Sequence, residues 1–302
     1  MENDVRTNSF RAWVLAARPK TLTAAAVPVM VGSALAAADL GTGFRVLPCV
    51  LCFLFAFIMQ IDANFINDYF DFRKGSDRTD RLGPERACAQ GWITPRAMLR
   101  GIAVTTVLAC VAGLPLLCYA GWELVMVGAL CVVFAFLYTL GLSYRGWGDV
   151  LVLLFFGLVP VGFTYYIQTG VWTWAVIVCA LACGLVIDTL LMVNNYRDRD
   201  QDRISGKRTV VVRWGARAGR AAYLWLGLLP CLGCLSLEAA GGYLEAAVLP
   251  QFYLILHVRS WRLMVSIGQG RALNRVLGLT ARNIFLFGLL LSIGLLLRLR
   301  WR

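Results

Sequence analysis

The sequence has little charge and almost no histidine. Only 15% of its 302 residues are Asp, Glu, Lys or Arg, and His257 is the single histidine. Soluble domains carry a much larger charged fraction, so a soluble globular fold is excluded. One histidine also argues against a Cys2His2 zinc site. The ten cysteines include Cys49/Cys52 and Cys231/Cys234 at C-x-x-C spacing, but these pairs lie in apolar stretches, where we expect them to pack as small hydrophobic residues.

Apolar residues are abundant, and they occur in long runs. They make up 59% of the chain, and the mean hydropathy is +0.69. A membrane-spanning helix needs about 17 to 25 mainly apolar residues. Nine such windows can be drawn, at about 21–39, 46–66, 99–119, 122–142, 150–168, 171–193, 221–239, 243–261 and 283–297. We therefore predict an all-α fold, a multi-pass transmembrane helical bundle of about nine helices that forms one integral membrane domain over residues 1–302.

Basic residues are distributed unevenly between the two sides of this predicted bundle. If all nine windows cross the membrane, 25 of the 29 Lys and Arg residues lie on the same side as the N-terminus. The four on the other side are Arg45, Arg298, Arg300 and Arg302. The positive-inside rule makes the basic side cytoplasmic and predicts a cell inner or plasma membrane protein. The net charge of +12 is thereby assigned to membrane topology, and we expect no nucleic-acid partner. The last window is short, and the basic tail after it leaves the topology of that span open.

Two charged segments, at about 67–98 and 194–220, begin where apolar windows end on the cytoplasmic side. Residues four apart share a helix face, which groups Asn67 with Asp71 and aligns Asn194, Asp198 and Asp202. A solvated loop is the ordinary explanation for such charges. This explanation does not account for the repeated arrangement, because like charges at this spacing repel each other mildly and the same pattern occurs in both segments.

Carboxylate and amide oxygens at these positions suit Mg²⁺, which is usually held by one or two carboxylates and by substrate phosphates. Basic residues among the acids can hold the remaining phosphate oxygens. The two segments therefore predict a magnesium-dependent diphosphate site, and apolar helices below it suit a polyprenyl diphosphate. The first segment contributes Asn67, Asp68, Asp71 and Asp77 as candidate metal ligands and Arg73 and Lys74 as phosphate contacts. Asp80 and Arg81 are expected in the solvated loop.

Asp188 is an ionisable residue inside an apolar window, where its charge costs about 2.5 to 3.5 kcal/mol near the centre of a span. It lies six residues before Asn194, so it can act as a base that activates an aromatic acceptor. A structural hydrogen bond is an equal alternative. Asp62, below the first segment, has the same two interpretations, whereas His257 is expected to be a packed core histidine.

Four segments resemble the UbiA superfamily of membrane prenyltransferases. Within it they are similar to the branch that uses 1,4-dihydroxy-2-naphthoate in menaquinone biosynthesis. They are AARPKTLTAAAVPVMVG at 16–32, NDYFDFRKGSD at 67–77, LYTLGLSYRGWGDVLVLLFFG at 137–157 and NNYRDRDQDRISGKRT at 194–209. The resemblance implies a nine-helix bundle with Mg²⁺ between the second and fourth segments and an active site that faces the cytoplasm.

The resemblance also assigns residues. It implies that Asn67, Asp71, Asp77, Asp198 and Asp202 surround the metal, and it places Asn194, Asn195, Arg197, Lys207 and Arg145 near the diphosphate. Many relatives have a third acid where this chain has Gly75. The longer spacing to Asp77 is the pattern of the naphthoate branch. Asp149 stands where bacterial relatives often have Glu.

The implied reaction is transfer of a polyprenyl group to 1,4-dihydroxy-2-naphthoate with loss of CO₂, giving demethylmenaquinone. The acceptor follows from the resemblance alone, and related enzymes that use 4-hydroxybenzoate, haem or a chlorophyllide are alternatives. An ion transporter is a further alternative from the residues alone. A transporter is expected to place its charges near the bilayer midplane, whereas these charges gather at one rim.

Overall fold

A computed structural model describes residues 5–75 and 81–298 of the chain. Over these residues the chain is helical and has no β-strand, which confirms the predicted all-α class. The helices are α1 Phe10–Ala17, α2 Leu22–Leu40, α3 Val46–Arg73, α4 Pro95–Gly113, α5 Leu117–Ala120, α6 Glu123–Leu137, α7 Gly148–Leu153, α8 Val159–Thr169, α9 Trp174–Ile204, α10 Val210–Cys234, α11 Leu237–Gly241, α12 Leu244–Val248, α13 Tyr253–Ile267 and α14 Leu273–Leu297. Short 3₁₀ or π segments join some of them.

Seven segments of the described chain are long and apolar enough to cross a membrane. They are Phe10–Gly43, Val46–Arg73, Pro95–Ala120, Glu123–Leu142, Gly148–Thr169, Trp174–Ile204 and Leu273–Leu297. A helix satisfies its backbone N–H and C=O groups internally, as the bilayer requires. The chain is therefore a multi-pass membrane protein.

The remaining predicted spans are less regular than the sequence windows indicate. Window 221–239 lies largely within α10, which is kinked at Gly215, where φ is 82°. Window 243–261 is interrupted by the 3₁₀ turn Leu249–Phe252, which contains Pro250. Proline lacks a backbone N–H and clashes with the preceding turn, so a continuous helix is broken there.

The last span is longer than its apolar window. Window 283–297 is the second part of α14, which has 25 residues and is long enough to cross a membrane. Arg275 and Arg282 lie in the first half of this helix and interrupt the apolar run, which explains why the window is short. The structure thus shows a full-length last helix where the sequence leaves its topology open.

α9 is the central helix of the bundle, with 72% of its apolar window buried. It approaches the α7–α8 segment very closely at two glycines. A Cβ on Gly157 would lie 2.5 Å from the Ala180 carbonyl oxygen, and a Cβ on Gly184 would lie 3.1 Å from the Leu153 carbonyl oxygen. Small residues allow helix backbones to approach closely in membranes. This crossing determines how the residues at the start of α7 meet α9.

Polar contacts mark the two ends of α2. At its start, Asn64 on α3 donates hydrogen bonds to the Ala17 carbonyl and the Thr21 hydroxyl. At its end, Asp39 accepts hydrogen bonds from Tyr165, Tyr243 and Arg298. Because α2 has 19 residues, these groups are separated by roughly 28 Å along its axis. The last described residue of the chain therefore lies at the end of the bundle opposite Asn64.

The cysteines play no cross-linking role. All ten are free thiols, and Cys231 and Cys234 are fully buried in the apolar core. The expectation that they pack as small hydrophobic residues is thus consistent with the structure.

The Asp39 cluster generates a stability prediction. Asp39→Ala leaves the Arg298 guanidinium and two tyrosine hydroxyls without their carboxylate, which should cost about 1–3 kcal/mol of folding stability. Thermal unfolding of the purified protein in detergent measures the effect. Tyr166→Phe is the control, because it removes an exposed hydrogen bond to Glu123. Equal unfolding temperatures for the two variants would show that the Asp39 cluster does not stabilise the bundle.

Candidate active site

Both acidic motifs lie on helix ends. Helix α3 continues to Arg73 and α9 to Ile204, so each helix extends beyond the apolar window in which it begins. The segments predicted as loops at 67–98 and 194–220 are thus helical over their first residues. The four-residue spacing of Asn67 with Asp71, and of Asn194 with Asp198 and Asp202, consequently corresponds to one helix face in each case.

Lys207 connects the two helix ends. Its Nζ lies 3.6 Å from Oδ1 of Asp202, and it interacts electrostatically with both Asp202 and Asp71. Burial by itself would lower the pKa of Lys207, but the carboxylates of Asp202 and Asp71 outweigh burial and raise it. Asp71 on α3 and Asp202 on α9 therefore face one shared space that holds a half-buried positive charge.

Two arginines that the sequence does not single out belong to this cluster. Arg81 interacts electrostatically with both Asp71 and Asp202, and Nη2 of Arg86 lies 3.9 Å from Oδ2 of Asp71. Arg81 was expected in a solvated loop, and the structure corrects this. The chain after Arg81 returns to the site, and only tertiary structure shows that return.

The segment between α6 and α7 covers the cluster. Lys74 donates hydrogen bonds to the Thr139 and Leu140 carbonyls at 2.6 and 2.9 Å, and the Thr139 hydroxyl donates to Asn67 Oδ1. The Tyr144 ring centroid lies 4.5 Å from Nζ of Lys74 and 5.2 Å from Nζ of Lys207. Desolvation lowers the pKa of Lys74, although the Asp71 carboxylate opposes this. A ring face between two ammonium groups stabilises both by cation–π attraction.

Asp198 forms a bidentate pair with its neighbour Arg197. Nε and Nη2 of Arg197 lie 2.7 and 2.6 Å from the two carboxylate oxygens, and Nη1 donates to Oδ1 of Asn274 on α14. Arg197 is almost fully buried. In this structure its guanidinium joins α9 to α14, so the predicted diphosphate contact of Arg197 requires part of this network to open.

Asp68 is engaged with a loop rather than with the opposite motif. Its carboxylate accepts hydrogen bonds from the backbone N–H groups of Ala87 and Cys88, both at 2.8 Å. Nη2 of Arg18 lies 3.7 Å from the same carboxylate, and Asp68 is fully buried. The sequence groups Asp68 with the candidate metal ligands, and the structure places its two oxygens against the chain at 87–88.

The other predicted site residues occupy varied positions. Asn194 donates to the Leu190 carbonyl of its own helix, and Asn195 lines a cavity next to Lys207. Arg73 and Arg145 are exposed. Asp77 lies outside the described residues.

The two intramembrane aspartates differ in their hydrogen bonding. Both oxygens of Asp62 accept hydrogen bonds, from the hydroxyls of Thr105 and Thr106 at 2.5 and 2.9 Å. Asp62 therefore has a structural role that joins α3 to α4. Asp188 is 4% exposed, and its Oδ1 has no hydrogen-bond partner among the described residues. His257 is fully buried and hydrogen-bonded to Tyr253, as expected for a core histidine.

The donor set at the shared space fits a hydrated divalent cation. Within residues 5–75 and 81–298, no three His, Cys, Asp or Glu side chains converge on a preformed metal site. Mg²⁺ does not require one, because one or two carboxylates and substrate phosphates usually hold it. Asp71 and Asp202 already share a half-buried cation, the Lys207 ammonium. The residues present are thus compatible with Mg²⁺.

Sequence comparisons identify relatives over most of the chain. The profile of the UbiA prenyltransferase family matches residues 25–276. The chain is 36% identical over 301 residues to the 1,4-dihydroxy-2-naphthoate octaprenyltransferase of Escherichia coli, covering 95% of this chain and 96% of that one. It is also 36% identical over 232 residues to the enzyme of the same name from Mycobacterium tuberculosis, covering 76% and 77% of the two chains.

Solved structures share the fold. A UbiA homologue from Aeropyrum pernix superposes with a TM-score of 0.67 at 15% identity, over 88% of this chain and 97% of that chain. A UbiA homologue from Archaeoglobus fulgidus, solved with GPP and Mg²⁺ bound, superposes with a TM-score of 0.64 at 14% identity, over 93% and 99%. At these identities the likeness establishes the helical architecture.

The position of Asp68 generates a prediction that separates structural from site carboxylates. In Asp68→Asn an amide NH₂ replaces one acceptor oxygen and faces a backbone N–H. The lost hydrogen bond should cost about 1–3 kcal/mol, which corresponds to roughly 10- to 100-fold faster amide exchange at Ala87 or Cys88. Hydrogen–deuterium exchange with mass spectrometry measures this change. Asp71→Asn, one turn further along α3, should leave exchange at 87–88 unchanged. Equal protection in both variants would contradict the anchoring role.

Proposed function

Because the chain belongs to the UbiA prenyltransferase family, we propose that it transfers a polyprenyl group from a polyprenyl diphosphate to 1,4-dihydroxy-2-naphthoate. The reaction releases diphosphate and CO₂ and gives demethylmenaquinone in its quinol form, a step of menaquinone biosynthesis. The observation that carries this proposal is the 36% identity to the Escherichia coli naphthoate enzyme over nearly the full length of both chains. The whole chain would act as one integral membrane domain.

The acidic helix ends would hold the metal and the diphosphate. Asp71 and Asp202 provide carboxylates from two different helices, and Asn67 and Asp198 lie one turn from them on the same helix faces. Asp77 remains a predicted ligand. Bound Mg²⁺ would neutralise the negative charge that develops on the departing diphosphate. Mg²⁺ prefers oxygen ligands, and the carboxylates and amides of this site provide them.

The basic residues have the complementary task. Lys207, Lys74 and Arg81 surround Asp71, and each carries a positive charge that can bind phosphate oxygens. Charges that are already fixed in place stabilise the leaving group without reorganisation. Tyr144 lies against both ammonium groups and keeps them oriented toward the shared space.

Below this cluster, apolar helices would hold the polyprenyl tail in the bilayer. They also exclude water, which protects the allylic cation from hydrolysis. The basic excess around the motifs supports a cytoplasmic site in the cell inner or plasma membrane. The diphosphate head would accordingly lie at the cytoplasmic rim.

The direct test is product analysis. Purified protein with Mg²⁺, a polyprenyl diphosphate and 1,4-dihydroxy-2-naphthoate should form a product whose mass equals the prenylated acceptor minus CO₂. A parallel reaction with 4-hydroxybenzoate should form none. Product from 4-hydroxybenzoate alone would overturn the acceptor assignment, and no product from either acceptor would overturn the prenyl-transfer assignment for these two acceptors.

A matched set of variants tests the acidic residues. Asp71→Asn and Asp202→Asn should lower turnover by at least 10²-fold, because each removes a carboxylate that would hold the metal ion against the leaving diphosphate. Asp200→Asn is the control. Asp200 lies in the same motif but is exposed, so its variant should keep wild-type turnover. Near-normal turnover in Asp71→Asn would contradict the proposed metal and diphosphate site.

Metal removal gives an independent prediction. Treatment with a chelator should abolish prenyl transfer, and added Mg²⁺ should restore it, because the carboxylates alone repel a diphosphate. Initial rates as a function of free Mg²⁺ measure the requirement. Full activity at saturating chelator would show that the basic residues suffice without a divalent ion.

A further inference from the structure

Two carboxyl groups next to the proposed diphosphate site each have one buried oxygen atom without a hydrogen-bond partner among the described residues. Oδ1 of Asp149 and Oδ1 of Asp188 are both buried and accept no hydrogen bond from any described residue. Buried polar atoms in folded proteins are nearly always hydrogen-bonded, so each exception calls for an explanation. In a membrane protein such a carboxyl group is a functional candidate by default.

Two contacts place these aspartates on helix segments that pack against each other. Helices α7 and α9 meet where Gly184 approaches Leu153, and again where Gly148 approaches Leu191, since a Cβ on Gly148 would lie 3.2 Å from the Leu191 side chain. Asp149 lies between Gly148 and Leu153, and Asp188 lies between Gly184 and Leu191. The two carboxyl groups interact electrostatically, in agreement with this placement.

A small polar cavity opens beside Asp149. It has a volume of about 40 Å³, and its lining includes Asp149, Tyr138, Asn195, Thr209 and Lys207. That volume exceeds the roughly 10–15 Å³ that one water molecule needs, so a hydroxyl group fits. Lys207 also pairs with Asp202, so the cavity adjoins the proposed diphosphate site. Leu191 also lines the cavity, and Asp188 lies one helical turn before Leu191 without lining the cavity itself.

We propose that Asp149 and Asp188 form a carboxyl pair that receives a hydroxyl group of the aromatic acceptor, with Asp149 in contact with the hydroxyl and Asp188 behind it. The proposal rests on the proposed prenyl transfer and adds the acceptor side of the same site. Two carboxylates that interact across packed helices repel each other in a low-dielectric surrounding, so the pair would hold one proton between them. It then offers one negative charge, which accepts a hydrogen bond from a phenolic hydroxyl.

The proton balance of the reaction supports this arrangement. As the acceptor O–H bond breaks, its proton goes to Asp149 and the electron pair increases the nucleophilicity of the ring. The ring carbon that carries the carboxylate bonds to the allylic carbon, and the allylic C–O bond breaks with its electron pair leaving on the diphosphate. The carbon–carboxylate bond then breaks to release CO₂, and its electron pair restores the aromatic ring and the oxyanion. This oxyanion takes the proton back, so the pair ends as it began.

Asp149 is therefore a catalytic residue and Asp188 a positioning residue. Asp149→Asn should lower kcat by roughly 10²–10⁴-fold, the range for loss of an acid–base group, and should weaken binding of the naphthoate. Asp188→Asn should raise KM for the naphthoate and lower kcat. Neither variant should change the Kd of the polyprenyl diphosphate, because the acceptor side alone is altered. Steady-state kinetics and equilibrium binding of each substrate separate these effects.

Thermal stability distinguishes a substrate-binding carboxyl group from a structural one, because loss of a structural carboxyl group lowers the unfolding temperature. Asp62→Asn is the matched control, since Asp62 is equally buried but both of its oxygens accept hydrogen bonds. Asp62→Asn should lower the unfolding temperature. Asp188→Asn should leave it unchanged or raise it, because Oδ1 of Asp188 accepts no hydrogen bond that the substitution would remove.

The outcomes distinguish this proposal from the proposed function. A wild-type protein that forms no naphthoate product would overturn both. An active wild type with near-normal kcat in Asp149→Asn would overturn the carboxyl pair alone. Asp149→Asn or Asp188→Asn proteins that unfold as early as Asp62→Asn would show that these carboxyls are structural, which also overturns the pair.

Discussion

The site depends on the balance of charge between two helix ends. Asp71 and Asp202 approach one space from α3 and α9, and two carboxylates in such a position repel each other. Lys207 and Arg81 interact with both and compensate that repulsion. Each of these cations comes from a segment that follows its motif, so the chain must turn back on itself to complete the site. The fold around α9 makes that return possible.

The aspartates of this protein divide into partnered and unpartnered groups. Asp39, Asp62 and Asp68 each have fixed donors, and they join helices or loops to one another. Asp149 and Asp188 each keep an oxygen without a donor. Burial of an unpaired acceptor lowers stability, and such strain persists where a ligand completes the hydrogen bonding. Away from the shared space of Asp71 and Asp202, this distinction separates structural carboxyl groups from candidates for substrate binding.

Asp68 and Arg81 show the limits of motif spacing. Asp68 sits inside the first acidic motif, yet it accepts from the backbone at 87–88. Arg81 follows that motif in what looks like a solvated loop, yet it reaches both carboxylates of the site. Spacing identifies which residues share a helix face, but it does not show which loop covers that face. A loop conformation depends on contacts that are distant in the chain.

The sequence by itself determined the helical class, the membrane location and the two acidic motifs, because hydropathy and four-residue spacing act locally along the chain. This spacing predicted two shared helix faces, one with Asn67 and Asp71 and the other with Asn194, Asp198 and Asp202. Only the tertiary structure decided which groups meet across helices: Lys207 between the motifs, Asp68 at its loop, and the helix segment of Asp149 against that of Asp188. Those encounters follow from close backbone crossings such as Gly184 against Leu153, where packing of distant segments determines what a side chain touches.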